Sequence, residues 1–206
     1  MIDYLTHYYR IGTEPFRSLS GLPDDEAIQI MKALYGRYKE NILFERFKAP
    51  AQYLHDRRET EGWVRSAFIE KGGRPQDAYP ISMVLGSSKW IEDNAPSLDT
   101  HGKIHVHLSA LSEADVSFTF PDSMVSLWLF KDRPSDYYLP EYHGKIFTLP
   151  EILSIVSEKG MPEEGWKIKI PENTGPYIEA QVWNREQLAA QGSLRNTRLG
   201  TGLAGI

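Results

Sequence analysis

The sequence predicts an α+β fold: a mixed or mostly antiparallel sheet of about five to seven strands, packed against an N-terminal helical hairpin and one later helix. Three observations carry that prediction. Short runs rich in Tyr, Val, Ile, Phe and Thr fall at residues 2–10, 104–109, 116–120 and 177–183, and the last three alternate in polarity. Apolar residues recur at helical spacing over 24–45 and 51–71. No internal repeat or domain-sized linker interrupts the chain. Residues 1–191 therefore read as a single α+β domain, and 192–206, with no periodicity, as a flexible tail.

Taken in order, residues 2–10 form a first strand or extended lead-in. Turn residues Gly12, Pro15, Gly21 and Pro23 follow. The first helix starts there, because Pro23 suits a first turn and Asp24, Asp25 and Glu26 favour the positive end of the dipole. Ile28, Met31, Leu34, Tyr35, Tyr38 and Ile42 mark its buried face. A second helix fits residues 51–71, stopped by Gly72 and Gly73. Tyr53, Leu54, Arg57, Glu61, Val64 and Phe68 lie near one stripe. Arg57 and Glu61 are spaced for an ion pair, and the charged run 55–65 reads as a solvated face.

Residues 79–85 read as a strand, and the Gly86-Ser87-Ser88 turn after it is of a kind whose amides cradle phosphate. Residues 92–102 read as an exposed loop. In the stretch 104–130, Ile104, Val106 and Leu108 alternate with His105, His107 and Ser109, a half-buried strand with two histidines on its polar face. Residues 116–120 form the next strand. The apolar run 124–130 suits a strand covered on both faces, with a buried helix as the alternative. Residues 131–143 read as a long ordered loop, and 145–147 and 166–170 as short strands. Thr148 and Glu151 form a capping box that opens the later helix, which ends at Gly160. Residues 177–183 make the final strand, with Glu179 and Gln181 on one face and Ile178, Ala180 and Val182 on the other.

Composition narrows the function classes. The net charge of −5 argues against a non-specific nucleic-acid binder, which needs basic surface to release counterions. The chain has no cysteine, so disulfides, thiolate metal sites and cysteine nucleophiles are excluded, and a reducing cytoplasm is the expected location. No run approaches the roughly 20 apolar residues of a membrane helix. The first residues lack the basic and apolar regions of a secretory signal. There is no P-loop, G-x-G-x-x-G, G-x-S-x-G or H-E-x-x-H motif.

Three constellations remain. The first is the order of an early Tyr-Arg strand, a middle hydroxyl strand and a late glutamate: His7, Tyr9 and Arg10, then Ser117 and Thr119, then Glu179. In this order of parts the chain resembles the ADP-ribosyltransferase superfamily. The resemblance implies NAD as the cofactor, His7, Tyr9 and Arg10 in its binding, a nicotinamide pocket shaped by Ser117 and Thr119, and Glu179 at the reacting carbon. A carboxylate there stabilises charge developing at an anomeric carbon. The two long helices after the first piece depart from that family's compact pattern. The second constellation is a non-catalytic interaction or ligand-binding domain, using aromatic groups such as Tyr137, Tyr138 and Trp183. The third is a metal site at His105 and His107, which a strand places on one face. Cupins carry such a pair, but the nearest acid, Glu113, is displaced from their pattern, and no second histidine motif follows.

Overall fold

The computed structural model describes residues 2–96, 101–166, 168–190 and 197–198. The elements run β1 (Tyr4–Arg10), α1 (Asp24–Tyr38), α2 (Pro50–Glu70), β2 (Ile81–Leu85), α3 (Lys89–Asn94), β3 (His101–His107), β4 (Val116–Thr119), α4 (Ser123–Asp132), α5 (Leu149–Lys159), α6 (Pro162–Gly165), β5 (Glu179–Val182), α7 (Arg185–Ala190) and β6 (Thr197–Arg198). The strands form one sheet in the order β4-β5-β2-β1-β3-β6, with every pairing antiparallel. The predicted α+β class, antiparallel sheet and N-terminal helical hairpin are all present.

Register divides the sheet into two unlike faces, because residues opposite one another on paired strands project to the same side. One face carries Phe118, Ala180 and Met83 in a row, with Val116, Val182 and Ile81 beside them. Leu5, Leu85, Ile104 and Val106 continue it, and Leu149 and Ile152 of α5 pack on this apolar layer. The other face carries Thr119, Glu179, Val84 and Thr6 in one row, and Ser117, Gln181 and Ser82 in the next. A polar face of this kind normally meets water. Here α2 covers it. Val64 and Phe68 of α2 cluster with Trp183 and Ile146, while Arg57 reaches Ser82 Oγ at 3.3 Å. Helix α1 packs on α2 through Ala27, Met31, Leu54 and the Phe44 and Phe47 rings of the intervening segment.

Several expectations need correction. Residues 124–130 are not a strand but the body of α4. Asp122 caps that helix by accepting from the Val125 amide at 3.0 Å, and Arg133 ends it in the left-handed conformation. The cap satisfies an orphan amide of the first turn, which decides the apolar run in favour of helix. The first helix ends at Tyr38 rather than near residue 45, and a short 3₁₀ turn over Glu45–Lys48 follows. The loop expected at 92–102 begins with the end of α3 and finishes inside β3, while residues 97–100 lie outside the described residues. Phe147 makes a single bridge to Phe118 instead of a strand. Residues 166 and 168–170 are not strand, and Lys167 lies outside the described residues. Within the supposed tail, Thr197–Arg198 pair with β3, and the remainder of 192–206 lies outside the described residues. The Glu151 carboxylate does reach back to accept from the Thr148 amide at 2.8 Å, as a capping box requires, and it also accepts from the Thr148 hydroxyl at 3.0 Å. Among the described residues, no helix is long and apolar enough to cross a membrane.

The apolar layer sets an expectation for stability. Phe118 has no exposed surface, so Phe118→Ala removes a ring from a filled site and should cost about 3–5 kcal/mol. Ile69→Ala, on the exposed end of α2, should change stability by no more than about 0.5 kcal/mol. Urea unfolding of the two variants checks the contrast, and equal losses would contradict the assigned core.

Candidate functional site

Between α2 and the polar face of the sheet lies a cleft of about 260 Å³. Its floor is Thr6 and Tyr8 of β1, Ser82 of β2 and Glu179 of β5. Tyr53, Arg57 and Glu61 of α2 form one wall, and Asp122, Ser123 and Met124 at the start of α4 form another. Arg46, Trp90 and Tyr177 stand at the mouth. A second cavity of about 340 Å³ continues outward, bounded by Asn173, Thr174 and Gly175. Six residues border both chambers and so form a neck between them: Arg46, Tyr53, Trp90, Asp122, Met124 and Tyr177.

Glu179 is held by a chain of hydrogen bonds whose direction can be worked out. Trp183 Nε1 can only donate, and it donates to Ser117 Oγ at 2.9 Å. The Ser117 hydroxyl is thereby turned to donate to Gln181 Oε1, also at 2.9 Å. That fixes the Gln181 amide, so its Nε2 donates to Thr119 Oγ1 and to Glu179 Oε2, each at 3.0 Å. Glu179 Oε2 also accepts from the Ser123 amide, the first of α4, at 2.7 Å. Donors thus converge on one carboxylate oxygen, and the side chain is pinned where it lines the cleft.

Asp122 sits on the same helix terminus. Burial raises its pKa, and the nearby Glu179 charge raises it further. The Val125 amide, the Arg46 charge and the Met124 amide oppose these effects without cancelling them. Arg57 Nε donates to Glu61 at 2.8 Å and to Ser20 Oγ at 3.1 Å. Burial works against the Arg57 charge, but Glu61 and Tyr53 outweigh it and its pKa rises. Glu61 is only 3% exposed. Burial raises its pKa, the Arg57 charge and the nearby Ser20 hydroxyl lower it, and the net direction is up. Its second oxygen, Oε2, is buried with no hydrogen-bond partner.

The residues singled out by sequence are distributed unevenly about this cleft. Glu179 lines it. Ser117 and Thr119 lie inside the protein and reach the cleft only through Gln181. His7 alternates with Thr6 and projects to the opposite, apolar face. There its Nε2 accepts from the Phe16 amide at 3.0 Å, which leaves Nδ1 to carry the proton toward Ser82 O at 3.4 Å. Tyr9 and Arg10 border a separate apolar pocket of about 350 Å³ with Leu34, Phe44 and Phe47. The three pieces of the ADP-ribosyltransferase-like order therefore do not meet in one cleft. The Gly86-Ser87-Ser88 turn has no open phosphate cradle either. The Gly86 amide donates to Tyr4 O and the Ser88 amide to the Tyr8 hydroxyl, each at 2.9 Å, and the Glu163 carboxylate accepts from Ser88 Oγ at 2.6 Å and the Lys89 amide at 2.8 Å.

His105 packs against Tyr4 with ring centroids 4.7 Å apart and the rings tilted by 32°, and His107 Nδ1 lies 3.8 Å from Asp3. Among the described residues, the group of three potential metal ligands whose donor atoms lie within 4.8 Å of one another is His55, Asp56 and Glu59, on the outside of α2. His105 and His107 belong to no such group. Trp183, expected as an exposed contact residue, is completely buried.

Arg57, Glu61 and Asp122 are the site residues that sequence reasoning passed over. Arg57 and Glu61 fall on the same stripe as Leu54, Val64 and Phe68, which placed them on the buried side of α2 rather than on a solvated face. Asp122 follows Pro121 and precedes an apolar run, the pattern of a helix cap.

Comparison with known proteins finds no matching family model, no matching curated protein and no matching solved structure.

Burial of His7 has a consequence for stability. Desolvation lowers its pKa to about 4, against a partial rise from the Ser82 carbonyl. A histidine with a depressed folded pKa binds its proton more readily in the unfolded chain. Its neutral form therefore causes no loss above about pH 6.5, and stability falls as pH drops from there to about 4, by up to about 3 kcal/mol. Chemical denaturation at pH 7.5 and 4.5 should show a smaller difference for His7→Gln than for the wild type. An identical difference in the two proteins would contradict the assignment.

Proposed function

We propose that the chain is an enzyme whose cleft carries out glycosyl chemistry, cleaving or transferring at an anomeric carbon with Asp122 and Glu179 as its carboxylate pair. One observation carries the reading: two carboxylates from different elements meet on the first turn of α4, in a cleft, in unlike environments. Environments that separate two carboxyl groups assign the acid and the base. Asp122, whose proton is favoured by burial and by its neighbour, serves as general acid toward the leaving group. Glu179, accepting from Ser123 and Gln181, faces the reacting carbon as the charge stabiliser, base or nucleophile.

Charge balance narrows the ligand. Two guanidinium groups, Arg46 and Arg57, stand against three carboxyl groups, Glu61, Asp122 and Glu179, in the inner chamber. Such a chamber favours an uncharged polar group over a pyrophosphate, since excess positive charge is what phosphate sites supply. The chamber is also smaller than the roughly 300–1,000 Å³ of pockets that enclose whole drug-sized ligands. Tyr53, Trp90 and Tyr177 at the neck suit an aromatic leaving group. Nucleosides are accordingly the first substrate class. NAD, as a nucleotide substrate for transfer, would enter by its nicotinamide riboside end, with its pyrophosphate outside the inner chamber.

Base release from a panel of nucleosides and NAD, followed by chromatography, tests the reading. Asp122→Asn keeps an acceptor at the helix cap, and Glu179→Gln keeps one for the Ser123 amide, so both should fold. Each should lower turnover by about 10²–10⁴-fold. No release by the wild type from any member of the panel, or full activity in both variants, would overturn the proposal.

A further inference from the structure

We propose that Glu61 is the specificity residue of the cleft, accepting a hydrogen bond from a hydroxyl of the ligand's sugar, so that the site selects ribosides over their deoxy forms. The inference rests on the glycosyl reading above and names the feature of the substrate that the inner chamber reads.

A buried carboxylate oxygen without a donor is costly, and native proteins leave few such groups unpaired. Glu61 Oε2 is in that position on a residue that lines the cleft, its partner oxygen is occupied by Arg57, and the Ser20 hydroxyl that acts on the carboxyl accepts from Arg57 Nε. A ligand that supplies the missing donor completes the site. The donor is better neutral than cationic, because the Arg57 guanidinium already lies 2.8 Å from the same carboxylate and would repel a second positive charge. The surroundings also ask for more than a donor. Ser82 Oγ accepts from Arg57 Nη2, and its own proton has no acceptor among the described residues. An acceptor oxygen on Glu61 and a donor hydroxyl on Ser82, both contacted by Arg57, match a group that both gives and takes hydrogen bonds. A sugar hydroxyl does both. Sites built to pair with a hydroxyl reject the analogue that lacks it far more strongly than apolar pockets reject a missing methylene, because the buried polar group is left bare.

The two chambers give this group its place. Glu61 and Ser82 belong to the inner chamber and are absent from the outer one, whereas Asp122 stands at the neck between them. A riboside with its sugar against Glu61 would place its glycosidic bond toward the neck, and its base beyond Asp122 beside Trp90 and Tyr177.

Isothermal titration with inosine, 2′-deoxyinosine and 3′-deoxyinosine tests the assignment in the full chain. Wild-type protein should bind inosine at least about tenfold more tightly than one of the deoxy forms. Glu61→Gln should shrink that ratio to under about threefold while still binding the deoxy form. Glu61→Asp, which keeps the charge beside Arg57 and shortens the reach, serves should the glutamine variant fail to fold, and should also shrink the ratio. An equal affinity of the wild type for all three nucleosides, no binding of inosine, or an unchanged ratio in a folded Glu61 variant would overturn the inference. Failure here with Asp122 and Glu179 still required for turnover would leave the glycosyl reading standing. Loss of that requirement would remove both.

Discussion

A polar sheet face buried under a helix constrains everything around it. Ser117, Thr119, Gln181 and Glu179 are withdrawn from water by the packing of α2, through Val64 and Phe68, against Trp183. Each polar atom in such a layer needs a partner, since an unpaired one costs about 1–3 kcal/mol. The chain from Trp183 through Ser117 to Gln181 meets that demand in one direction only, because the indole has a proton to give and no lone pair to offer. The outcome is a fixed glutamine amide and, through it, a fixed Glu179. The rule that keeps the interior satisfied also aims a carboxylate into the cleft. Where the rule is broken, at Glu61 Oε2, the cleft asks for something from outside.

Close packing at the mouth completes the arrangement. A Cβ on Gly175 would stand 2.6 Å from the Trp90 ring and 2.7 Å from that of Tyr177, so only glycine lets both aromatics settle against that turn. Their centroids are 6.3 Å apart, too near to admit another ring between them. An aromatic group in the outer chamber would therefore lie against their outer surfaces. The α3 segment that carries Trp90 is in turn tied to α6 by Glu163, which accepts from the Lys89 and Trp90 amides that open α3.

Much of the fold was legible because alternation is a direct imprint of the strand. Residues 104–109 and 116–120 announced both faces, and Thr148 with Glu151 announced the start of α5. The face relationships were harder. Alternation says that Ser117 and Thr119 share a side with one another, but not that a helix will cover it, so groups that read as pocket walls became interior supports. Arg57 and Glu61 show the same difficulty from the other side. Their charge suggested solvent, while their spacing from Leu54, Val64 and Phe68 placed them on the packed stripe, and spacing prevailed. The run 124–130 shows why a cap outweighs composition: its residues suit a strand, yet Asp122 closes the first turn of a helix. His7 and Arg10 lie only three residues apart, but strand parity and distance along β1 carry both away from Glu179. No short motif encodes such separations, which depend on how the sheet is ordered.

The central claim is that burial and Glu179 together keep Asp122 protonated more readily than an ordinary aspartate. Carbon-detected NMR titration of the Asp122 carboxyl, in the wild type and in Glu179→Gln, measures it directly. The account predicts a pKa above the usual aspartate range in the wild type and a fall toward that range when the neighbouring charge is removed. An ordinary value in the wild type, unchanged by Glu179→Gln, would contradict it.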